Sequence, residues 1–195
     1  MAFEKVKEII KEAPAFTRLT DLAAERLGGK VLYATDDFFA EKENLIKPTR
    51  GIFIHDKYTE RGKWMDGWES RRKRTPGHDW AVVQLATPGR ISGFDIDTNF
   101  FLGNHPPFAS VEAANIADVS EVRDWDQAGW KEILSRSHLD AGSQNFFEIS
   151  SDQVYTHIRL HIYPDGGVAR LRVYGDVFKN WDAVDKNEMI DLAAA

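Results

Sequence analysis

The stretch His157-Ile158-Arg159-Leu160-His161-Ile162-Tyr163-Pro164-Asp165-Gly166-Gly167-Val168-Ala169-Arg170-Leu171-Arg172-Val173 decides the fold class. Ile158, Leu160 and Ile162 alternate with His157, Arg159 and His161. Beyond the Pro-Asp-Gly-Gly turn, Ala169, Leu171 and Val173 alternate with Arg170 and Arg172. Side chains on an extended chain point to opposite faces in turn, so this spacing predicts two half-buried strands joined as a hairpin. The polar residues His157, Arg159, His161, Arg170 and Arg172 then share one sheet surface. Such a surface binds an anion or is simply solvated, with Arg159 and His161 the preferred ligand contacts.

Working outward, Trp80 to Ala86 reads as another strand, and Phe94, Ile96 and Thr98 alternate with Asp95 and Asp97. Strands of this kind divided by Gly and Pro turns predict an all-β jelly-roll sandwich with its loops gathered at the ends. Between Ile116 and Asn145 the alternation lapses, and a helical insertion is expected around Gly129 to Ser135. At the N-terminus, Phe3, Val6, Ile9 and Ile10 fall on one face at helical spacing, ending near Pro14. A second short helical piece is expected from Asp21, a candidate N-cap, to Arg26, stopped by Gly28-Gly29.

The 195-residue chain has 43% hydrophobic and 12% aromatic residues, enough to bury a core and too many for a disordered segment. A formal charge of −6 argues against general affinity for nucleic acid, which draws on accumulated Lys and Arg. Cysteine is absent, which removes disulfides, thiolate metal sites and a cysteine nucleophile, and fits a reducing, cytoplasmic setting. No apolar run reaches membrane-spanning length. Neither Asp36-Asp37 nor Asp95 with Asp97 comes with the spacing of a specific metal site, and no metal or cofactor is expected.

The candidate ligand site is the loop from Lys57 to Trp80. It holds three of the six tryptophans, Trp64, Trp68 and Trp80, among charges of both signs and several glycines. Tryptophan builds an apolar pocket wall and offers one N–H donor. Arg71 and Arg72 suit a carboxylate, while Glu60, Asp66 and Glu69 suit acid/base work or N–H donors of a ligand. Against this stands a loop packed across the sandwich end with its charges paired internally. His78-Asp79 is the best acid/base candidate, since histidine titrates nearest neutral pH and a carboxylate fixes its tautomer. Adjacent strand residues point to opposite faces, however, so Asp79 need not be the partner of His78. Asn99, with Asp97 at a strand end, is a further polar contributor. The run Arg71-Arg72-Lys73-Arg74 also looks like a basic localisation or nucleic-acid patch, a reading the flanking acids and the net charge oppose.

Several blocks resemble the allantoicase family. They are Asp21-Leu22-Ala23 through Leu32, Ala34-Thr35-Asp36-Asp37-Phe38-Phe39-Ala40, and Glu43-Asn44-Leu45. The long loop follows, from Lys57-Tyr58-Thr59-Glu60-Arg61-Gly62-Lys63-Trp64-Met65-Asp66-Gly67-Trp68-Glu69 to His78-Asp79-Trp80. After it come Gly93-Phe94-Asp95-Ile96-Asp97-Thr98, Phe100-Phe101, Gly103-Asn104, Pro106-Pro107 and the closing block from Arg159 to Gly175. The closing block is the least specific, since its ending resembles other galactose-binding-like jelly rolls. The resemblance implies tandem jelly-roll repeats, a homo-oligomer, and hydrolysis of allantoate to ureidoglycolate and urea in purine breakdown.

Residues 1–19 then read as a helical extension and 20–180 as one repeat. Residues 181–195 read as a linker and the opening of a second repeat, because Asp21-Leu22-Ala23-Ala24 recurs as Asp191-Leu192-Ala193-Ala194. An active site needing that second repeat would leave a single one inactive. Allantoate carries a carboxylate and two ureido groups on one carbon. The expected roles are therefore Arg71 and Arg72 on the carboxylate, and Glu60 or Glu69 on the ureido N–H groups. His78 is the acid/base, with Asp79 beside it, and Trp64 and Trp68 exclude water. The alternative is a non-catalytic module of the same fold that binds a small ligand.

Overall fold

The structure, a computed structural model, describes residues 12–179. Twelve strands run in chain order: β1 (Thr20–Asp21), β2 (Lys30–Ala34), β3 (Tyr58–Thr59), β4 (Gly62–Lys63), β5 (Trp68–Glu69), β6 (Asp79–Asp97), β7 (Phe108–Ala114), β8 (Lys131–His138), β9 (Phe146–Glu148), β10 (Val154–Tyr163), β11 (Gly167–Val168) and β12 (Arg170–Val177). Short 3₁₀ turns at Ala15–Arg18, Glu25–Leu27, Lys42–Ile46, Val119–Glu121 and Trp125–Gln127 connect them. The expected N-terminal helix begins outside the described residues, as does the Asp191 echo.

The two strands foreseen around Trp80 and Gly93 are one, β6, which serves both layers. Its first part, Asp79 to Gln84, lies between β2 and β10, and β7 and β8 extend that layer beyond β10. Its second part, Gly89 to Asp97, lies between β12 and β9, with β1 beyond β12. The pairing with β10 slips where Pro88 sits, a residue with no N–H to give to a ladder. Gly89 follows at a close approach, where a Cβ would lie 2.6 Å from Leu22 Cδ1.

The expected hairpin is not one. β10 pairs with β6 and β7, whereas β12 pairs with β6 and β1, so the two strands face each other across the core. Ile158, Leu160 and Ile162 meet Leu171 and Val173 in one cluster, all wholly buried. Alternation reports which side of a strand is apolar and says nothing of whether its neighbour is an edge partner or a facing layer. The short β11, paired to β5, occupies the connection. His157, Arg159 and His161 therefore lie on one layer, and Arg170 and Arg172 on the other.

The helical insertion at Gly129 to Ser135 is also corrected: Lys131–His138 is the edge strand β8. Its pairing with β7 shifts register twice, and Ile133 and Leu134, adjacent in sequence, both pack on the core. A bulge of this kind removes the period-two signal. The piece predicted from Asp21 to Arg26 begins as strand and becomes a 3₁₀ turn only at Glu25–Leu27. Gly28 stops it at φ 105°, a conformation that favours glycine.

Candidate active site

The outer face of the first layer carries a buried polar chain. On β10 the residues pointing away from the core are His157, Arg159, His161 and Tyr163, and on β7 they include Ser110 and Glu112. His78 Nε2 lies 2.8 Å from His161 Nδ1, and His161 Nε2 lies 2.8 Å from Glu112 Oε2. The same carboxylate oxygen accepts from Arg159 Nε at 2.8 Å, and Arg159 Nη1 donates to Asp126 at 2.7 Å. The Arg159 guanidinium also lies 5.1 Å from the Trp80 ring centroid and 5.0 Å from that of Trp130. Tyr163 packs against His78 at a tilt, with ring centroids 4.4 Å apart, and its hydroxyl meets Ser110 Oγ at 2.9 Å.

The charges settle the tautomers. Burial raises the Glu112 carboxyl, but the hydrogen bonds from His161 and Arg159 outweigh it and hold the group below the usual carboxylate range. As an ionised acceptor it requires a proton on His161 Nε2. Burial lowers His161 more than Glu112 raises it, so this ring is neutral near pH 7 and its Nδ1 accepts. His78 must then donate through Nε2, which leaves its Nδ1 with a free lone pair. Burial, and after it the positive charge of Lys73, lower the His78 pKa, while Asp79 opposes them. His78 is half-buried and meets neutral pH as a base.

The other predicted site residues separate into groups. Asp79 points to the opposite side of β6, 1% exposed, where it accepts from Thr35 Oγ1 at 2.7 Å and pairs with Lys73. Arg71 is committed to Asp36 through Nε at 2.6 Å and through its own backbone N–H, and Arg72 is exposed. Trp68 is wholly buried in the main core and donates its indole N–H to the Asp36 carbonyl, so it braces the loop from beneath. Trp64 lies under Lys57, whose Nζ is 3.7 Å from the ring centroid. Asn99 donates to the Gly51 carbonyl at 3.1 Å and so ties down a neighbouring loop.

Two adjoining clefts open among these loops. One, of about 380 Å³, is lined by Glu60, Arg61, Trp64 and Phe39. The other, of about 370 Å³, is lined by Glu69, Asn104, Lys63 and Phe53. Burial raises the Glu69 carboxyl above its ordinary range against a hydrogen bond from Asn104. Backbone bonds from Asp79 to Pro164 and from Gly167 to Asn104 gather these loops where β6 begins and β10 ends. The sequence reading missed Glu112, Asp126, Tyr163 and Asn104. Glu112 was discoverable as the polar member of the alternating Val111-Glu112-Ala113, but its pairing with β10 was not. Among the described residues, no three His, Asp or Glu side chains converge to hold a metal, and no helix is long and apolar enough to cross a membrane.

The sequence pattern of the allantoicase repeat matches residues 20–178. A protein of Pseudomonas fluorescens (strain SBW25) named probable allantoicase is 50% identical over 183 residues, covering 94% of this chain and 54% of that protein. The chain thus spans about half the length of the curated relatives it matches. The crystal structure of allantoicase from Saccharomyces cerevisiae superposes with a TM-score of 0.75 at 35% identity, covering 84% of this chain and 50% of that one. A carbohydrate-binding module from a Clostridium perfringens family 31 glycoside hydrolase superposes with a TM-score of 0.58 at 13% identity, covering 85% of this chain and all of that one, and shares the fold alone.

Proposed function

The chain belongs to the allantoicase family, and we propose on that premise that it contributes the acid/base centre for hydrolysis of allantoate to ureidoglycolate and urea. The observation that carries this reading is the hydrogen-bonded run His78–His161–Glu112. The reaction needs a proton taken from water and a proton given to the departing ureido nitrogen. His78 Nδ1, the one ring nitrogen in the run left with a lone pair, does both in turn. It takes the proton of the incoming water and returns it to the leaving nitrogen. Where urea leaves first through an imine, His78 Nδ1 takes the proton of the remaining ureido N–H and gives it to the leaving nitrogen. It then takes a proton from the water that adds and returns it to the former imine nitrogen. His161 and Glu112 hold His78 in the tautomer that keeps Nδ1 available, and the ionised Glu112 stabilises positive charge that reaches the pair.

In the same proposal the clefts beside Trp64 and Glu69 receive the ureido groups. Glu60 and Glu69 accept their N–H bonds, and Trp64 shields them from water. The working enzyme pairs this repeat with a second one and assembles as a homo-oligomer. The test is urea release from allantoate by this repeat joined to a second one, read alongside calorimetry with allantoate. Urea and ureidoglycolate in equal amounts are expected. Heat of binding with no urea points instead to a non-catalytic ligand-binding module and overturns the proposal.

A further inference from the structure

We propose that Arg136 anchors the carboxylate of the substrate beside His78, an inference that rests on the reaction proposed above. Most cations near the histidines already have an anion. Lys73 pairs with Asp79, Arg159 with Glu112 and Asp126, and Arg71 with Asp36. Arg136 has no carboxylate partner among the described residues. Its guanidinium lies 4.4 Å from the Tyr163 ring centroid and 4.9 Å from that of Phe108. Tyr163 is also the ring against which His78 packs, at 4.4 Å between centroids.

One aromatic ring therefore carries both the general base and an unpaired guanidinium, and the positive charge of Arg136 is felt at the His78 imidazole. Allantoate places its carboxylate on the carbon that loses urea. A group that grips this carboxylate must accordingly lie in the neighbourhood of the acid/base. Arg136 flanks the same Tyr163 ring as His78, whereas Arg71 spends its Nε, its Nη2 and its backbone N–H on Asp36. Stacking suits arginine in particular, because a flat guanidinium against aromatic rings keeps its N–H edge free for two parallel bonds to a carboxylate. Edge strand β8 leaves Arg136 exposed and open to an arriving anion.

The test is steady-state urea release by Arg136→Met and Arg136→Lys in the two-repeat protein beside its parent, each with its melting midpoint. Loss of a charge-assisted bidentate contact predicts a KM for allantoate raised roughly 10- to 100-fold in Arg136→Met, with kcat within about threefold and the midpoint unchanged. Arg136→Lys keeps the charge without the fork, and an intermediate KM is expected. An unmoved KM in Arg136→Met, while the parent turns over allantoate, overturns the Arg136 assignment and leaves the reaction standing. A fall in kcat together with the midpoint also overturns it, because the side chain then acts only as packing. A parent that releases no urea overturns the reaction and this anchor together.

Discussion

Replacing His78 with alanine is expected to lower kcat for urea release by roughly 10²- to 10⁴-fold, the range a positioned general acid/base supplies. The size of the loss follows from the wiring. Among the described residues, His78 alone in the run has a ring nitrogen free of both Glu112 and the other imidazole, so no neighbour replaces it. His78 is only half-buried, and its removal leaves the core of the sandwich untouched. The melting midpoint should therefore stay within a few degrees of the parent while the rate collapses. Activity within a few-fold of the parent would remove His78 from the mechanism. The parent's rate should be level through neutral pH and fall only as acid protonates a base whose pKa burial and Lys73 hold below the ordinary histidine value.

The second large effect is on stability. Arg170 is a guanidinium 1% exposed. It donates to the Thr49 carbonyl at 2.6 Å, to the Asp66 carbonyl at 3.1 Å and to Asp66 Oδ2 at 2.9 Å. Asp66 Oδ2 also accepts from the Ile52 N–H at 2.9 Å. These bonds clamp the loops on either side of the clefts to the start of β12. Asp66→Ala leaves the buried cation without its anion, and a loss of about 3–5 kcal/mol is expected in denaturant unfolding. Removing both charges, as Asp66→Ala with Arg170→Met, should recover part of that loss, since no unpaired charge then stays buried. A single variant that loses less than about 1 kcal/mol would show that the pair contributes little to the folded state.

What was legible in the sequence was what local alternation encodes. Ile158, Leu160 and Ile162 face the core as read, and Leu171 and Val173 do too. What alternation does not encode is which strands share an edge. That is why the strands flanking Pro164 were expected to pair and instead face each other across the core. β8 escaped because its bulges let two consecutive residues face inward.

The site divides the same way. His78, Arg159 and His161 were visible as residue types, but the groups that set their chemistry come from distant sequence. Glu112 is 49 positions from His161, and His161 is 83 from His78. Asp79, next to His78 in sequence, lies on the other side of the strand, as the geometry of an extended chain requires. Composition marked all three loop tryptophans alike. It does not distinguish Trp68, wholly buried beneath the loop, from Trp64 at its surface.

The central claim, that the proton chain from Glu112 through His161 to His78 performs the hydrolysis, is tested most directly by kcat/KM for urea release against pH in the parent and in Glu112→Gln. The parent should show one acidic limb below the ordinary histidine pKa. In Glu112→Gln that limb should move to still lower pH, because the carboxylate that favours the protonated histidines is gone, and the plateau should fall. A limb at the same pH and a plateau of the same height in both proteins would contradict the account.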